Sequence, residues 1–333
     1  MNRITHANRT LLLSAGLLCA ITILGSGFAS SNPDDGQAEQ TVHAIRFKQN
    51  PIISEQTDQK IGNNINGPSL IRVPEWLPKP LGRYYLYFAH HTGDYIRLAY
   101  ANRLEGPWTI YGPGTLKLSE TICSEHIASP DVYIDNEKRE LRMYFHGPVP
   151  QSPRQVSLVA TSKDGIHFTA SPEILGDSYF RIFQWNGYYY AMARLGVLYR
   201  SRDGLKNFEP GPNPFQINSA PSTVRHVALK LDGDTLSVFY SRIGDNPESI
   251  LLSKIKLSGD WRAWKASAPT TMLKPETEYE GVNLPAAPSK EGPAPGRVRE
   301  LRDPAIFSEG AKSYLLYSVA GESGIAISEL RAK

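Results

Sequence analysis

Ser129-Pro130-Asp131-Val132-Tyr133 and Arg302-Asp303-Pro304-Ala305-Ile306 are two versions of one local event, a polar cluster containing proline that opens a strand. An aromatic-rich second strand follows each. It ends on Tyr144-Phe145-His146-Gly147 in the first case and on Tyr317-Ser318-Val319-Ala320-Gly321-Glu322 in the second. Endings on His or Arg recur at Tyr87-Phe88-Ala89-His90-His91, Ala193-Arg194 and Tyr240-Ser241-Arg242, which makes five occurrences along the chain. A repeat of roughly 40 to 60 residues built from short strands reads as a propeller blade, whose small sheet buries its faces against its neighbours. The fold class expected is therefore all-β, a five-bladed β-propeller.

In a four-stranded antiparallel blade the first strand leaves one face of the disc and the second returns to it. The starts of first strands and the ends of second strands therefore share a face. First-strand starts would bring Asn66, Glu125, His126, Asp131, Asp177, Arg181, Arg225, His226, Arg302 and Asp303 to one mouth. Second-strand ends would add His90, His91, His146, Arg194, Arg242 and Glu322. Few purely structural propellers would need so many ionisable groups in one place.

Residues 1–30 read as a secretory signal: Arg3 and Arg9 give a basic start, residues 11–24 an apolar run, and Gly27-Phe28-Ala29-Ser30 a small-residue cleavage region. The expected localisation is export, to the periplasm or the extracellular space. An uncleaved anchor is the alternative, but the run is shorter than the ~20 residues a membrane span needs. No later segment is apolar for long enough, so no stable membrane insertion is expected after cleavage. Leu18 is bulky where lipid attachment at Cys19 would call for a small residue. Beyond the signal Cys123 is the sole cysteine, so stability must come from packing and not from a disulfide. A net charge of +3 without Lys/Arg blocks does not suggest a nucleic-acid binder. A monomer is expected.

Residues 31–40 read as a flexible lead-in and 41–333 as the propeller domain. The blades are expected at 63–118, 125–175, 177–215, 224–273 and 299–330. Blade one is predicted to have strands at 69–73, 83–89, 95–102 and near 109. Its Arg83-Tyr84-Tyr85-Leu86-Tyr87-Phe88 suits a buried strand. The last blade runs out after three strands, so residues 41–47, which alternate like a strand, are expected to supply the fourth and close the ring. Trp108, Phe168, Phe208 and Trp261 stand at matching ends of the repeats and are expected to pack between blades. Residues 274–297, rich in Pro, Glu and Gly, read as a long loop able to roof the pocket.

Blade two's Ser-Pro-Asp-Val-Tyr with Glu140-Leu141-Arg142-Met143-Tyr144-Phe145, blade one's Leu104-Glu105-Gly106-Pro107-Trp108 and blade five's Arg-Asp-Pro with Tyr314-Leu315-Leu316-Tyr317 resemble the five-bladed propeller glycoside hydrolases of family 43. The resemblance implies three carboxylates: a base Asp opening blade one, an orienting Asp in blade two and an acid Glu in blade three. Asp131 matches the second. Blade one has Asn66-Gly67-Pro68 in place of Asp-Pro, and blade three offers Asp177 near the expected place but no Glu.

Glycoside hydrolysis needs one group to activate water and another to protonate the leaving oxygen. With blade one lacking its carboxylate, Asp303, in its own Asp-Pro setting, is the expected base. Asp131 is the orienter or acid, with Glu125 and Glu322 in reserve. The substrate-binding set is Asn66, His90, His91, His126, His146, Asp177, Arg181, Arg194, His226, Arg242 and Arg302. Asp131 and Asp303 have a plainer role available, fixing strand starts by accepting backbone hydrogen bonds. The arginines have two, pairing with these carboxylates or holding an anionic sugar or phosphate. No cofactor is predicted. Metal ligation by the histidines is left open, although no H-E-x-x-H or closely spaced Cys/His set is present. Nucleophile-elbow, P-loop and dinucleotide motifs are absent. The expected activity is cleavage of a glycosidic bond in a polysaccharide or oligosaccharide, with a non-catalytic glycan-binding propeller or a phosphate-using phosphorylase as alternatives.

Overall fold

Every first strand opens on the same backbone defect, and that defect positions the site. In blade one Asn66 pairs with Ala89 and Ser69 with Tyr87, so two residues, Gly67 and Pro68, oppose one. The same slip separates Ala128 from Asp131, Val224 from Val227 and Arg302 from Ala305. Blade three repeats it, with Arg181 paired to Met192 and the Ser178 carbonyl accepting from the Arg194 amide. Such a bulge tolerates proline because one residue drops out of the ladder. Pro68, Pro130 and Pro304 sit there accordingly. The residue before, at the apex, adopts the left-handed region in four blades: Gly67, Ser129, Tyr179 and Asp303 have φ of 59°, 49°, 69° and 46°. Arg225 is the fifth apex. Asp131 and Asp303, which look alike in sequence, are thus two steps apart in the structural repeat. Asp303 is equivalent to Ser129, and Asp131 to Ser69, Arg181, Val227 and Ala305.

The computed structural model describes residues 42–216 and 222–332; the expected signal and lead-in lie outside the described residues. The chain forms a nearly all-β, five-bladed propeller with a few short 3-10 turns. Blade one comprises Asn66–Arg72, Tyr84–Ala89, Tyr95–Ala101 and Thr109–Lys117, and blade two Ala128–Asp135, Glu140–Pro148, Gln155–Ser162 and Thr169–Ala170. Blade three comprises Arg181–Trp185, Tyr188–Met192, Leu198–Ser201 and Glu209–Pro210. Blade four has Val224–Asp232, Thr235–Arg242, Ile250–Lys256 and Thr270–Leu273. Blade five has Arg302–Glu309, Lys312–Ser318 and Gly324–Ala332, and its outer strand is Val42–Arg46. That N-terminal strand pairs antiparallel from Val42 opposite Ala332 to Arg46 opposite Ser328. It closes the ring as its alternation suggests.

All six residues of Tyr84–Ala89 are buried because neighbouring blades cover both faces. Tyr84 meets Phe307 of blade five edge-on, and Tyr87 meets Phe168 of blade two. Burying an aromatic of this size contributes about 2 kcal/mol. Trp261 likewise packs on Tyr190 of blade three, and Trp108 joins the core shared by blades one and five. Phe208 joins the core shared by blades two and three, so all four aromatics at repeat ends are inter-blade wedges. Residues 274–297 contain only the turn Glu278–Glu280, in keeping with a long loop.

Candidate active site

The apexes of blades one and two touch. A Cβ added to Gly67 would come within 2.9 Å of the Ser129 Cα, so this corner admits no side chain. The remaining apexes carry the chemistry: Tyr179, Arg225 and Asp303. The Tyr179 ring stands between the rings of His146 and His226, with centroids 4.0 Å away on each side. Burial, then the charge of Asp303, pushes its phenol up, so the hydroxyl stays protonated.

Asp303 is 3% exposed and pairs through Oδ1 with Nδ1 of His226, while its Oδ2 accepts from the Ser318 hydroxyl at 2.9 Å. Burial alone would raise its carboxyl; the His226 ring, the Ser318 hydroxyl and Arg302 outweigh it and hold the group well below the usual range. Burial lowers His226 more than Asp303 raises it, so the ring is neutral near pH 7. With the Nδ1 edge of His226 set against the Asp303 carboxylate, a proton on Nδ1 would leave the Nε2 lone pair free.

Glu322 is the second carboxylate. Its Oε2 accepts from Asn64 at 2.7 Å and from Asn66 at 3.3 Å. Its Oε1 takes Arg302 at 3.2 Å and the Ala294 amide at 3.3 Å, and lies 3.3 Å from His91 Nδ1. Burial raises its pKa and these donors lower it further, so it is ionised. Two imidazole–carboxylate pairs, His226–Asp303 and His91–Glu322, therefore meet at one place.

A cavity of about 420 Å³ opens there, walled by His91, Asp177, Tyr179, Arg194, Arg225, His226 and Glu322, with Arg154 and Gln155 on one side and Glu291 and Gly292 above. The long loop is its roof. Arg225, bonded to Glu248 at 2.9 Å, donates to the carbonyls of Lys290 and Gly292, and Arg302 donates to Gly292 as well. A neighbouring cavity of about 560 Å³, between residues 51–56 and 278–297, shares Glu322.

Several expected site residues lie elsewhere. Glu125 is exposed and outside this cavity, because it precedes the strand on a surface turn. His90 turns to a shallow depression with Thr92 and Asp94, where its Nδ1 accepts from the Thr92 amide. Arg242 is held outward by Asp245 at 3.0 Å. Asp131 joins two blades: its Oδ2 accepts from the Ile182 amide at 3.0 Å, the contact that Ser69 makes to Val132 one blade earlier. Burial raises its carboxyl, opposed by Arg181 and the Ile182 amide. Asn66, His126, His146, Arg181 and Arg302 are buried behind the wall. Arg181 donates to the Ser129 and Pro130 carbonyls and so holds the blade-two bulge. Burial lowers His126, and lowers His146 strongly. Asp177 takes the Tyr199 hydroxyl at 2.9 Å.

Tyr179, Arg154, Gln155 and Glu291 are wall residues that the repeat pattern missed. Tyr179 could have been found by aligning Ser178-Tyr179-Phe180-Arg181 with Asn66-Gly67-Pro68-Ser69; without a proline the match is hidden. Among the described residues no group of three or more His, Cys, Asp or Glu side chains is arranged to hold a metal ion.

No protein-family model matches the chain. Over 317 residues it is 42% identical to Uncharacterized protein R118 of Acanthamoeba polyphaga mimivirus, an alignment covering 85% of this chain and 88% of the viral one. The chain belongs to the R118 family. Its solved structural neighbours are five-bladed propeller glycoside hydrolases. A thermostable family-43 glycoside hydrolase superposes with a TM-score of 0.57 at 14% identity, over 81% of this chain and 93% of the other. A glycosyl hydrolase from Bacteroides ovatus gives 0.59 at 14% identity, over 86% and 92%. A GH43 beta-xylosidase/alpha-arabinofuranosidase from a compost microbial metagenome gives 0.58 at 12% identity, over 87% and 94%. At such identities the likeness establishes the shared architecture of this chain alone, and the chemistry rests on its own residues.

Proposed function

We propose that the protein is an exported carbohydrate-active enzyme that hydrolyses a glycosidic bond in its axial cavity. The observation that carries this reading is the pair of imidazole–carboxylate units facing one roofed space, His226–Asp303 and His91–Glu322. Glycosidic cleavage needs one group to take a proton from water and another to give one to the departing oxygen. His226 Nε2 is the base: as water adds to the anomeric carbon it accepts the water proton, and the carbon–oxygen bond to the leaving sugar breaks. From its doubly protonated form, paired with Glu322, His91 delivers the Nε2 proton to that oxygen and is left neutral; exchange with solvent then removes the proton from His226 and returns one to His91. Asp303 is a positioning residue, fixing the tautomer and orientation of His226. The ionised Glu322 faces the positive charge that develops on the sugar ring.

The test is release of reducing ends from a panel of polysaccharides, oligosaccharides and aryl glycosides, with and without inorganic phosphate. Turnover in water that His226→Gln abolishes supports the hydrolase. Turnover that requires phosphate replaces it with phosphorolysis. The Gly67 corner favours a second reading, a non-catalytic glycan binder, because the place where related propellers are expected to carry their base is sterically closed. Binding without turnover on any substrate supports that reading instead.

A further inference from the structure

The charges on the cavity wall are unequally satisfied. Asp177 is held by the Tyr199 hydroxyl, and Glu322 by the five donors described above. Arg225 is occupied by Glu248 and the roof carbonyls. Two cations at the mouth differ. Arg154 is exposed and only its backbone is bonded, leaving its guanidinium without a hydrogen-bond or ion-pair partner among the described residues. Among the described residues Arg194 has a single side-chain hydrogen-bond partner, the carboxylate of Glu291 on the roof, whose side chain is 68% exposed. An exposed pair of this kind is worth about 0–1 kcal/mol, so a competing anion displaces it easily. The Glu291 side chain can leave without unroofing the cavity, because the carbonyls on either side of it are clamped by Arg225 and Arg302.

We propose that the cavity takes an anionic glycan, a sugar bearing a carboxylate or sulfate, and that Glu291 holds Arg194 as a carboxylate stand-in until the substrate's own anion replaces it. Arg154 and Arg194 then grip that anion together, with the geometry that guanidinium groups offer to planar or tetrahedral oxyanions. The inference rests on the axial cavity being a glycan site and adds the class of glycan.

Calorimetric titration of the full-length protein at fixed ionic strength tests it, with oligogalacturonate, sulfated galacto-oligosaccharide, neutral xylo-oligosaccharide and inorganic phosphate as probes. The expected result is tighter binding of at least one acidic glycan than of the neutral one. Arg154→Ala and Arg194→Ala should each weaken the acidic glycan roughly tenfold or more, a far larger loss than either causes for the neutral one. Glu291→Gln should tighten the acidic glycan severalfold. That gain should vanish in the Arg194→Ala background, which separates competition for Arg194 from a general change of charge. A gain that persists there, no effect of Glu291→Gln, or phosphate binding as tightly as any glycan overturns the proposal. Binding and cleavage of neutral glycans alone also overturns it while leaving the hydrolase reading intact. Failure of every glycan to bind removes both.

Discussion

At the scale of single residues, the proposed hydrolase has groups placed to touch a sugar and groups that act through them. His226→Gln and Asp303→Asn are expected to lower turnover of a productive substrate by about 10²- to 10⁴-fold, the range for losing a general base. Asp303→Asn should also move the acidic limb of the pH–rate profile, a change that a purely structural aspartate would not produce. The histidines make a second prediction. Burial lowers His90, His126, His146 and His226 below the ordinary value of about 6.5. On acidification the unfolded chain takes up protons that these folded rings refuse, so stability falls as pH drops below about 6.5. Asp303 and Glu322 are depressed carboxylates, whose contribution is present above their unfolded values near 4 and is lost at lower pH. Urea midpoints between pH 7 and 5 should therefore decline, and His146→Asn should flatten the slope by up to about 1.4 kcal/mol per pH unit. A slope unchanged in that variant would remove His146 from the explanation.

At the scale of elements, the recurrent bulge decides what each apex can carry. Gly67→Asp restores on paper the missing Asp-Pro of blade one. Its φ of 59° and the 2.9 Å approach of the Ser129 Cα predict a loss of about 1–3 kcal/mol and no gain in activity. Thermal melting and a turnover assay check both halves, and a more active variant would show that the corner relaxes. The strands themselves were legible because aromatic runs such as Tyr84–Ala89 and turns such as Leu231-Asp232-Gly233-Asp234 are local signals. Second-strand endings likewise gave His91, Arg194 and Glu322 their place on the wall. The phase of the bulge was not legible. Asp131 and Asp303 both neighbour a proline, yet one lies before it and one after, and that offset sends one carboxyl between blades and the other to the axis. Glu291 was equally hidden, since a loop without periodicity gives no clue to which of its side chains will face inward.

At the scale of the whole molecule, the strand Val42–Arg46, blade five and the long loop are joined through one buried acid. Glu280, fully buried, takes Arg46 of the N-terminal strand at 2.8 Å and the Tyr317 hydroxyl of blade five at 2.9 Å. Glu280→Ala leaves both without that partner and is expected to cost about 3 kcal/mol, read as a lower denaturation midpoint. Deleting residues 42–54 should be worse, and an unchanged midpoint would contradict the clasp. The same closure brings blades one, three, four and five to one axis, so His91, Tyr179, His226 and Glu322 share a wall although they are dispersed along the chain. The proposed hydrolase depends on that convergence. A crystal structure of the Asp303→Asn protein with a bound oligosaccharide tests it most directly: the sugar should lie in the axial cavity, with the scissile linkage between the rings of His91 and His226. A sugar found only in the neighbouring cavity of about 560 Å³ or on the outer blades, with both rings untouched, would contradict it.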